Sequence, residues 1–437
     1  MTTTITPANT LETLKKYILV DGFPIVFDLD KSKGAHFFNA YDGKTYLDCF
    51  SFFASLPIGF NHPGLSDSNY QKKLLKAAQV RVANPDIYTV EYAEFVDTFA
   101  NIAGRPQFKH YFFIDGGALA VENALKVAFD WKIRKNMAAG RGEKGQKVIY
   151  FKDAFHGRTG YTLTTTNTFD PNKTKYFPKF DWIRVENPYV DETFSPEDMD
   201  RREKASLASI EDALKKHKDD VAAILLEPIQ SEGGDRHFRN SFFRGLRKIC
   251  DENDVLLIFD EVQSGMGITG KMWTYEHTDV VPDIVAFAKK AQLGGIMSTT
   301  RVDDIPDNVF KVPSRINSTW GGNLVDMVRS TRYMQIIQKE NLVDNARDVG
   351  AYFQKRLQDL RKDFSSVTNV RGRGLLIAFD LPSTQHRNRF IEENWKNGGL
   401  ILKSGERSVR VRPVLDFSRE NVDEAITLFS KGLKAVS

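Results

Sequence analysis

Residues Val255–Gly267 read VLLIFDEVQSGMG. This stretch is the basis for predicting both the fold and the functional site. A continuous apolar run, Val255–Phe259, ends in Asp260 and a turn that contains glycine. Such a run is typical of a strand that is buried on both faces, as in a parallel sheet. An acid at the end of a buried strand costs free energy unless it is paired. Asp260 is therefore a candidate site residue, although an aspartate that only caps the next turn is the common alternative.

The same pattern recurs through the middle of the chain. Helical patterns such as Leu119–Lys132 and Asn240–Glu252 lie between the apolar runs, and this alternation predicts an α/β domain with a mostly parallel sheet. Ligands bind such sheets beyond the carboxyl ends of the strands, so the residues that close the runs are the candidates for chemistry. The other predicted strands are His110–Asp115 (HYFFID), Lys147–Phe151 (KVIYF), Ala222–Glu227 (AAILLE) and Asp283–Ala288 (DIVAFA).

The two ends of the chain differ from its centre. Ala35–Leu47 reads AHFFNAYDGKTYL, in which a Tyr-Asp-Gly-Lys turn between two apolar stretches predicts a hairpin. Near the other end, strand-like segments follow a helical pattern, at Gly374–Asp380 and Ser408–Arg412. We predict a large domain over residues 61–328, and a small α+β domain that residues 1–60 and 329–437 build together.

Composition argues against several classes of protein. The chain has 437 residues, of which 41% are hydrophobic and 27% charged, as in ordinary globular proteins of more than one lobe. A net charge of +4 without a basic block argues against nucleic acid. No apolar run approaches the roughly 18 residues that span a bilayer, and no secretory signal is recognisable, so no membrane is expected. Cys49 and Cys250 lie far apart without CxxC spacing; we expect a cytoplasmic protein with no metal site.

Lys289 and Lys290 end the apolar run DIVAFAKK. Either lysine could simply reach solvent from the strand edge. The functional interpretation is an amine that condenses with an aldehyde, because a lysine in a dry, charge-tuned site is a good Schiff-base nucleophile. Together with Asp260, such an amine indicates pyridoxal phosphate (PLP), whose ring nitrogen is kept protonated by a buried carboxylate. Val262 would then press on the ring, and Gln263 would bond its hydroxyl.

Three further motifs supply groups that this cofactor needs. Asp115–Asn123 (DGGALAVEN) combines glycines, which let the backbone approach a phosphate, with a helix start that offers N–H groups and a favourable dipole. Phe155–Thr159 (FHGRT) places an aromatic ring beside an arginine that can grip a carboxylate. Asn317–Asn323 (NSTWGGN) has hydroxyls beside glycines, which can close around a phosphate. Each motif alone is more often an ordinary turn, and the prediction depends on their combination.

In this order and spacing, the motifs resemble those of the class III (ornithine/GABA-type) aminotransferases of PLP fold type I. The resemblance extends from about residue 20 to the end of the chain, and the motifs look most similar to those of lysine-specific members. It implies a PLP-dependent homodimer with shared active sites that moves the terminal amino group of L-lysine to 2-oxoglutarate by a ping-pong mechanism. The alternative is a transaminase for GABA or another ω-amino acid. The motifs are GGALAVENALK, FHGRTG, EPIQSEGGDRHF, IFDEVQSGMGITG, DIVAFAKK and NSTWGGN.

The resemblance also implies a role for each matching residue. Lys289 is the expected Schiff-base lysine, and Lys290 is the fallback because the spacing to the following glycines is one residue longer than in many relatives. Glu232 is expected to pair with Arg410 and to release it when the second substrate binds. The other implied roles are Asp260 on the ring nitrogen, Gln263 on the ring hydroxyl, Phe155 and Val262 on the ring faces, Gly117 and Ala118 on the phosphate, Ser318 and Thr319 on the phosphate of the neighbouring subunit, Arg158 on a substrate carboxylate, and Asn317 at the substrate.

Two rival interpretations remain. A non-catalytic protein of this fold would act as a binding or scaffold partner, but it would have no need of Asp260, Gln263 and Lys289. Another PLP reaction, such as racemisation or decarboxylation, would not require a Glu232–Arg410 switch. That switch favours two dissimilar substrates, and hence transamination.

Overall fold

A computed structural model of the chain describes residues 4–436. The helix predicted over Asn240–Glu252 has those bounds, and its apolar face, which includes Phe242 and Leu246, is buried. The helix predicted from Leu119 begins earlier, at Gly117, and is longer than expected. The helices are α1 (Thr10–Lys15), α2 (Ser68–Gln79), α3 (Val90–Ile102), α4 (Gly117–Ala138), α5 (Gly160–Thr165), α6 (Pro196–Lys216), α7 (Asn240–Glu252), α8 (Leu324–Lys339), α9 (Leu342–Asp363), α10 (Thr384–Lys396) and α11 (Arg419–Val436), with 3-10 turns at Pro63–Ser66, Pro171–Lys173, Thr274–His277, Lys289–Ala291 and Thr300–Asp304.

The strands predicted in the centre of the chain are all present, within one or two residues of the predicted bounds. Their continuous apolar runs are buried on both faces, as the pattern predicts; every residue of Val221–Leu226 is buried, for example. The strands are β1 (His36–Asn39), β2 (Lys44–Asp48), β3 (Phe108–Ile114), β4 (Lys147–Phe151), β5 (Ile183–Val185), β6 (Val221–Leu226), β7 (Ile229–Gln230), β8 (Arg236–His237), β9 (Leu256–Asp260), β10 (Ile284–Phe287), β11 (Gly294–Thr299), β12 (Thr368–Arg373), β13 (Leu376–Asp380), β14 (Gly399–Leu400), β15 (Leu402–Ser404) and β16 (Ser408–Val411).

Seven strands form the large sheet, in the order β3-β11-β10-β9-β6-β4-β5. Strand β11, which the sequence pattern does not predict, runs antiparallel to both of its neighbours, and the other six strands share one direction. Strands β9 and β10 are parallel neighbours, with Ala286 opposite Asp260. Asp260 and the lysine pair that follows β10 therefore meet at the carboxyl edge of the sheet.

The N-terminal hairpin packs against the C-terminal part of the chain. Strand β14 pairs with β2, with Gly399 opposite Leu47, and Leu47 shares a buried cluster with residues of the C-terminal sheet and helices. These contacts agree with a small domain built from both ends. The predicted boundary at residue 328 falls inside helix α8, so the division of the chain at residues 60 and 328 stays a prediction.

One turn of unusual backbone connects this N-terminal region to the large sheet. All four residues of Ser51–Ala54 have positive φ, between 42° and 66°, a conformation that is uncommon for residues other than glycine. This turn brings the carbonyl groups of residues 53 and 54 to the lysine pair. Within residues 4–436, no helix is both long and apolar enough to cross a bilayer.

Candidate active site

A cavity of about 450 Å³ lies at the carboxyl edge of the large sheet, where β9 and β10 end. It brings together residues from four sequence motifs that are far apart along the chain. The lining residues that the sequence predicts are Gly117, Ala118, Phe155, Asp260, Val262, Gln263 and Lys289; it also includes His156 and Glu227, to which the sequence assigned no role.

Asp260 is the buried acid of this cavity, with 5% of its surface exposed. Its Oδ2 accepts a hydrogen bond from Nδ1 of His156 at 2.8 Å, and its Oδ1 accepts one from the backbone N–H of Val262 at 3.0 Å. His156 is itself buried. The two donors fix the orientation of the carboxylate. His156 stands within the FHGRT motif, but nothing in the spacing of the sequence indicates that it reaches Asp260.

The two lysines after β10 have different surroundings. Lys289 lines the cavity, has a left-handed backbone (φ 50°), and its Nζ donates to the carbonyl oxygen of Phe53 at 3.0 Å. Lys290 does not line the cavity; its buried Nζ donates to the carbonyl oxygen of Ala54 at 2.7 Å. This difference supports Lys289 as the reactive amine.

The electrostatic environment of Lys289 favours a neutral amine. Burial lowers the pKa of Lys289 to about 7, and the positive charge of Arg410 acts in the same direction. The negative charges of Asp260 and Glu227 oppose this shift but do not reverse it. A neutral amine is the form that attacks an aldehyde or accepts a proton, so Lys289 has the reactive protonation state near neutral pH.

The start of helix α4 forms one wall of the cavity. Gly116 precedes it with φ 84°, and no side chain caps its first turn, which leaves this end of a 22-residue helix open to an anion. Gly117 packs so closely that a Cβ there would lie 2.8 Å from Cγ1 of Val262. The backbone of Gly117 and Ala118 can thus approach a phosphate.

Glu227 closes strand β6 and lies beside Phe155. Its Oε2 accepts the backbone N–H of Phe155 at 3.0 Å, and its Oε1 accepts that of Ser231 at 3.2 Å. Burial raises the pKa of Glu227 well above its ordinary value, and the negative charge of Asp260 adds to the rise. Glu227 therefore holds the Phe155 backbone in place at the edge of the cavity. The pattern of polar residues at strand ends includes Glu227, but it predicts no specific role for this residue.

A second cavity of about 670 Å³ contains Glu232 and Arg410. No ion pair joins these two residues within residues 4–436 of this structure, and their expected pairing in the presence of the amino donor stays a prediction. Glu232 instead lies 2.6 Å from Lys173, between its Oε1 and the lysine Nζ, and the same Oε1 accepts a hydrogen bond from Thr168 at 2.8 Å. Arg410 is buried, and its Nε and Nη1 have no hydrogen-bond partner within residues 4–436.

Four predicted site residues lie outside both cavities. Arg158, Asn317 and Thr319 are exposed, and Ser318 is half-buried. The expected contribution of Ser318 and Thr319 to a neighbouring subunit's site requires such an outward position, and it stays a prediction. The expected carboxylate contact of Arg158 and the substrate contact of Asn317 also stay predictions.

The model of the aminotransferase class-III family matches residues 18–433 of the chain. The chain belongs to this family. The L-lysine-epsilon aminotransferase of Mycobacterium tuberculosis is 47% identical over 435 residues, which cover 99% of this chain and 97% of that protein. The solved structure of the lysine aminotransferase from M. tuberculosis in the internal aldimine form matches with a TM-score of 0.98, and it covers 99% of this chain and 100% of that one at 47% identity.

Of two more distant relatives, one has the same substrate in its name and the other has a different one. The L-lysine-epsilon aminotransferase of Streptomyces clavuligerus is 43% identical over 434 residues, covering 98% of this chain and 94% of that protein. The mitochondrial 4-aminobutyrate aminotransferase of Mus musculus is 31% identical over 445 residues, covering 92% of this chain and 86% of that protein. The family assignment confirms the predicted fold and enzyme class, and the chain is a PLP-dependent aminotransferase.

The cavity at the carboxyl edge fits this cofactor. It offers a buried carboxylate, Asp260, for the ring nitrogen, and an amine of lowered pKa, Lys289, for the aldehyde. The uncapped start of α4 at Gly117 suits the phosphate. All three groups line one space of about 450 Å³, which suits a small, flat ring.

Proposed function

We propose that this aminotransferase moves the ε-amino group of L-lysine to 2-oxoglutarate by a ping-pong mechanism, and releases 2-aminoadipate 6-semialdehyde and L-glutamate. The observation that carries the proposal is the meeting of Lys289, with its lowered pKa, and the oriented Asp260 in one cavity. Lysine is favoured over 4-aminobutyrate because the identity is 47% to a lysine aminotransferase and 31% to a 4-aminobutyrate aminotransferase.

In this proposal Lys289 moves the proton at the reacting carbon. Bound PLP supplies an electron sink for the charge that develops when that carbon loses its proton. With a pKa of about 7, the Nζ of Lys289 is largely neutral above that pH and can accept the proton that leaves the ε-carbon of the donor. Asp260, held by His156 and Val262, would face the ring nitrogen of bound PLP and pair with it.

The second cavity supplies the acceptor's binding groups. The guanidinium of Arg410 is buried, and its Nε and Nη1 have no partner among the residues that the structure describes, so it can bind a carboxylate of 2-oxoglutarate in bidentate fashion. Arg158 is the proposed partner of the other carboxylate, and Asn317 is proposed to lie at the substrate. A dicarboxylic acceptor and a basic donor differ in charge, which explains why one site would need both Glu232 and Arg410 in the same cavity.

We also propose a homodimer that acts in the cytoplasm. Large apolar side chains are exposed on the single chain, among them Ile87 (63%), Tyr88 (76%) and Trp320 (44%). Exposed apolar patches commonly mark an interface between subunits. Trp320 follows Thr319 directly, so an interface there would carry Thr319 to the neighbouring subunit. Both cysteines are free and buried, which suits a reducing compartment.

A half-reaction experiment tests this function. L-Lysine alone should abolish the visible absorbance of the PLP-loaded enzyme, and 2-oxoglutarate added after removal of lysine should restore it. If the absorbance changes only when both substrates are present, the ping-pong mechanism is wrong. In a parallel assay with 2-oxoglutarate, L-lysine should yield glutamate faster than 4-aminobutyrate does; the reverse order would favour the alternative ω-amino-acid transaminase.

A further inference from the structure

Lys173 forms an ion pair with Glu232 in the second cavity. It ends the 3-10 turn Pro171–Lys173, and its Nζ lies 2.6 Å from Oε1 of Glu232. The exposed fractions of the two side chains are 31% for Lys173 and 18% for Glu232, so the pair is partly shielded from water. Thr168 donates to the same oxygen, so both partners draw Glu232 toward this loop.

The second anchor of Lys173 is an aromatic ring of the cofactor cavity. Its Nζ lies 5.6 Å from the centroid of the Phe155 ring, within the range of a cation–π interaction. Phe155 lines the cavity at the carboxyl edge, whereas Glu232 lines the second cavity. Lys173 itself also lines the second cavity, and it therefore connects that cavity to Phe155 in the first one.

Because Glu232 is paired with Lys173, it does not neutralise the charge of Arg410 by direct contact. Within the described part of the chain, residues 4–436, two donors of the buried Arg410 guanidinium and the buried Oε2 of Glu232 have no hydrogen-bond partner. A buried charge without a partner is costly, so Arg410 attracts any carboxylate that can reach it. Glu232 lines the same cavity as Arg410, and the carboxylate of a substrate would compete with it for the guanidinium.

We propose that Lys173 is a positioning residue that holds Glu232 away from Arg410, and so keeps Arg410 free for the carboxylate of a dicarboxylic acceptor. This inference rests on the proposed function, in which Arg410 binds that acceptor. Without Lys173, Glu232 turns to Arg410, and the acceptor must displace it. Lys173 thus sets the balance between donor and acceptor at a shared site through its effect on Glu232.

Binding of glutarate, a dicarboxylate without a reactive carbonyl group, tests the proposal independently of turnover. Calorimetry on the PLP-loaded enzyme should show that K173M raises the Kd for glutarate about tenfold. This is the effect expected when the charge-assisted contact between Lys173 and Glu232 is lost and Glu232 competes for Arg410. K175M is the matched control, because Lys175 is an exposed lysine of the same loop whose Nζ lies over Tyr176. The Kd of K175M for glutarate should equal that of the unsubstituted enzyme. K173R, which keeps a positive charge at residue 173, should retain most of the binding.

The E232Q background separates positioning from direct contact. With the charge of residue 232 removed, K173M should no longer change the Kd for glutarate, because no carboxylate remains to mask Arg410. If K173M weakens binding equally in both backgrounds, Lys173 contacts the ligand itself and the proposal is wrong.

The two half-reactions provide the second measurement. The rate at which saturating L-lysine abolishes the visible absorbance should be unchanged in K173M, whereas the 2-oxoglutarate concentration for half-maximal recovery should rise about tenfold. Equal loss in both half-reactions would indicate a merely structural role. Glutarate binding that K173M leaves unchanged overturns the role of Lys173 alone, whereas no binding to the unsubstituted enzyme overturns the acceptor assignment as well.

Discussion

Nδ1 of His156 lies 2.8 Å from Oδ2 of Asp260, and both side chains are buried. A buried carboxylate with two fixed donors, one from His156 and one from the Val262 backbone, has little freedom to rotate. The proposed reaction requires this carboxylate to face the ring nitrogen of PLP throughout. His156, for which the sequence predicts no role, therefore orients the carboxylate that is proposed to pair with the ring nitrogen of the cofactor.

Replacing His156 should lower turnover without removing the cofactor. In H156F, Asp260 keeps only the Val262 N–H, and we expect kcat to fall about tenfold to 100-fold, the usual effect of losing an orienting partner. The pH dependence of the visible absorbance of the loaded enzyme should shift as well, which a purely structural defect would not cause.

A second histidine–aspartate pair provides the control for this substitution. His110 pairs with Asp303 at 3.0 Å, away from the residues that line the cavity. H110F should leave kcat and the absorbance titration unchanged. Equal loss of kcat in H110F and H156F would contradict the special role of the His156–Asp260 pair.

The pKa of Lys289 predicts how cofactor loading depends on pH. Because burial lowers this pKa to about 7, the amine is protonated and unreactive below that pH and neutral above it. The rate at which the cofactor-free chain takes up PLP, followed by visible absorbance, should therefore rise through about pH 7 and then level off. The rate at which Nα-acetyl-lysine reacts with PLP in free solution should instead keep rising until about pH 10. A protein rate that also rises to pH 10 would show that Lys289 is not the reacting amine in this state.

Gly117 is predicted to be needed for space rather than for backbone freedom. A Cβ at this position would lie 2.8 Å from Cγ1 of Val262, so G117A should displace the valine from the cavity wall. We expect the Kd for PLP to rise about tenfold, which equilibrium dialysis can measure. G160A is the control, since Gly160 also begins a helix but a Cβ there meets nothing nearer than 3.6 Å. Equal affinities for the two variants would refute the close fit at Gly117.

Subunit complementation tests the shared site. K289A and T319E should each be inactive, the second because a carboxylate would repel the cofactor phosphate of the neighbouring subunit. If Thr319 acts across the interface, mixed dimers contain one intact site, and unfolding and refolding the two variants together should recover about a quarter of normal activity. If Thr319 acts within its own chain, every mixed dimer has two damaged sites and no activity returns.

The polar residues at the strand ends were predictable because a buried strand produces a simple sequence pattern, an apolar run that ends in a polar residue. Val255–Asp260 reads as a continuous apolar run closed by an acid, and the structure has a buried strand, β9, with Asp260 at its end. Strand β11 escaped prediction because Gly294–Thr299 begins with two glycines and carries few β-branched or aromatic residues. Its antiparallel course does not change the edge at which Asp260 and Lys289 meet.

Contacts between distant loops were not predictable. Lys173 lies in a polar stretch that has no periodicity, and only the fold brings it to Glu232, 59 residues along the chain. The expectation of a Glu232–Arg410 pair came from the family resemblance, which carries residue roles but not the conformation that one chain adopts. In the same way, His156 was visible as part of FHGRT, but its hydrogen bond to Asp260, 104 residues away, depends on how β4 and β9 are arranged in the sheet.

The central claim is that Lys289, and not Lys290, carries the cofactor opposite Asp260. Reduction of the PLP-loaded enzyme with borohydride fixes the cofactor to its lysine, and digestion followed by mass spectrometry locates it. We predict that the modified lysine is Lys289, and that K290M is still labelled whereas K289M is not. A label on Lys290, or labelling that persists in K289M, would contradict the account.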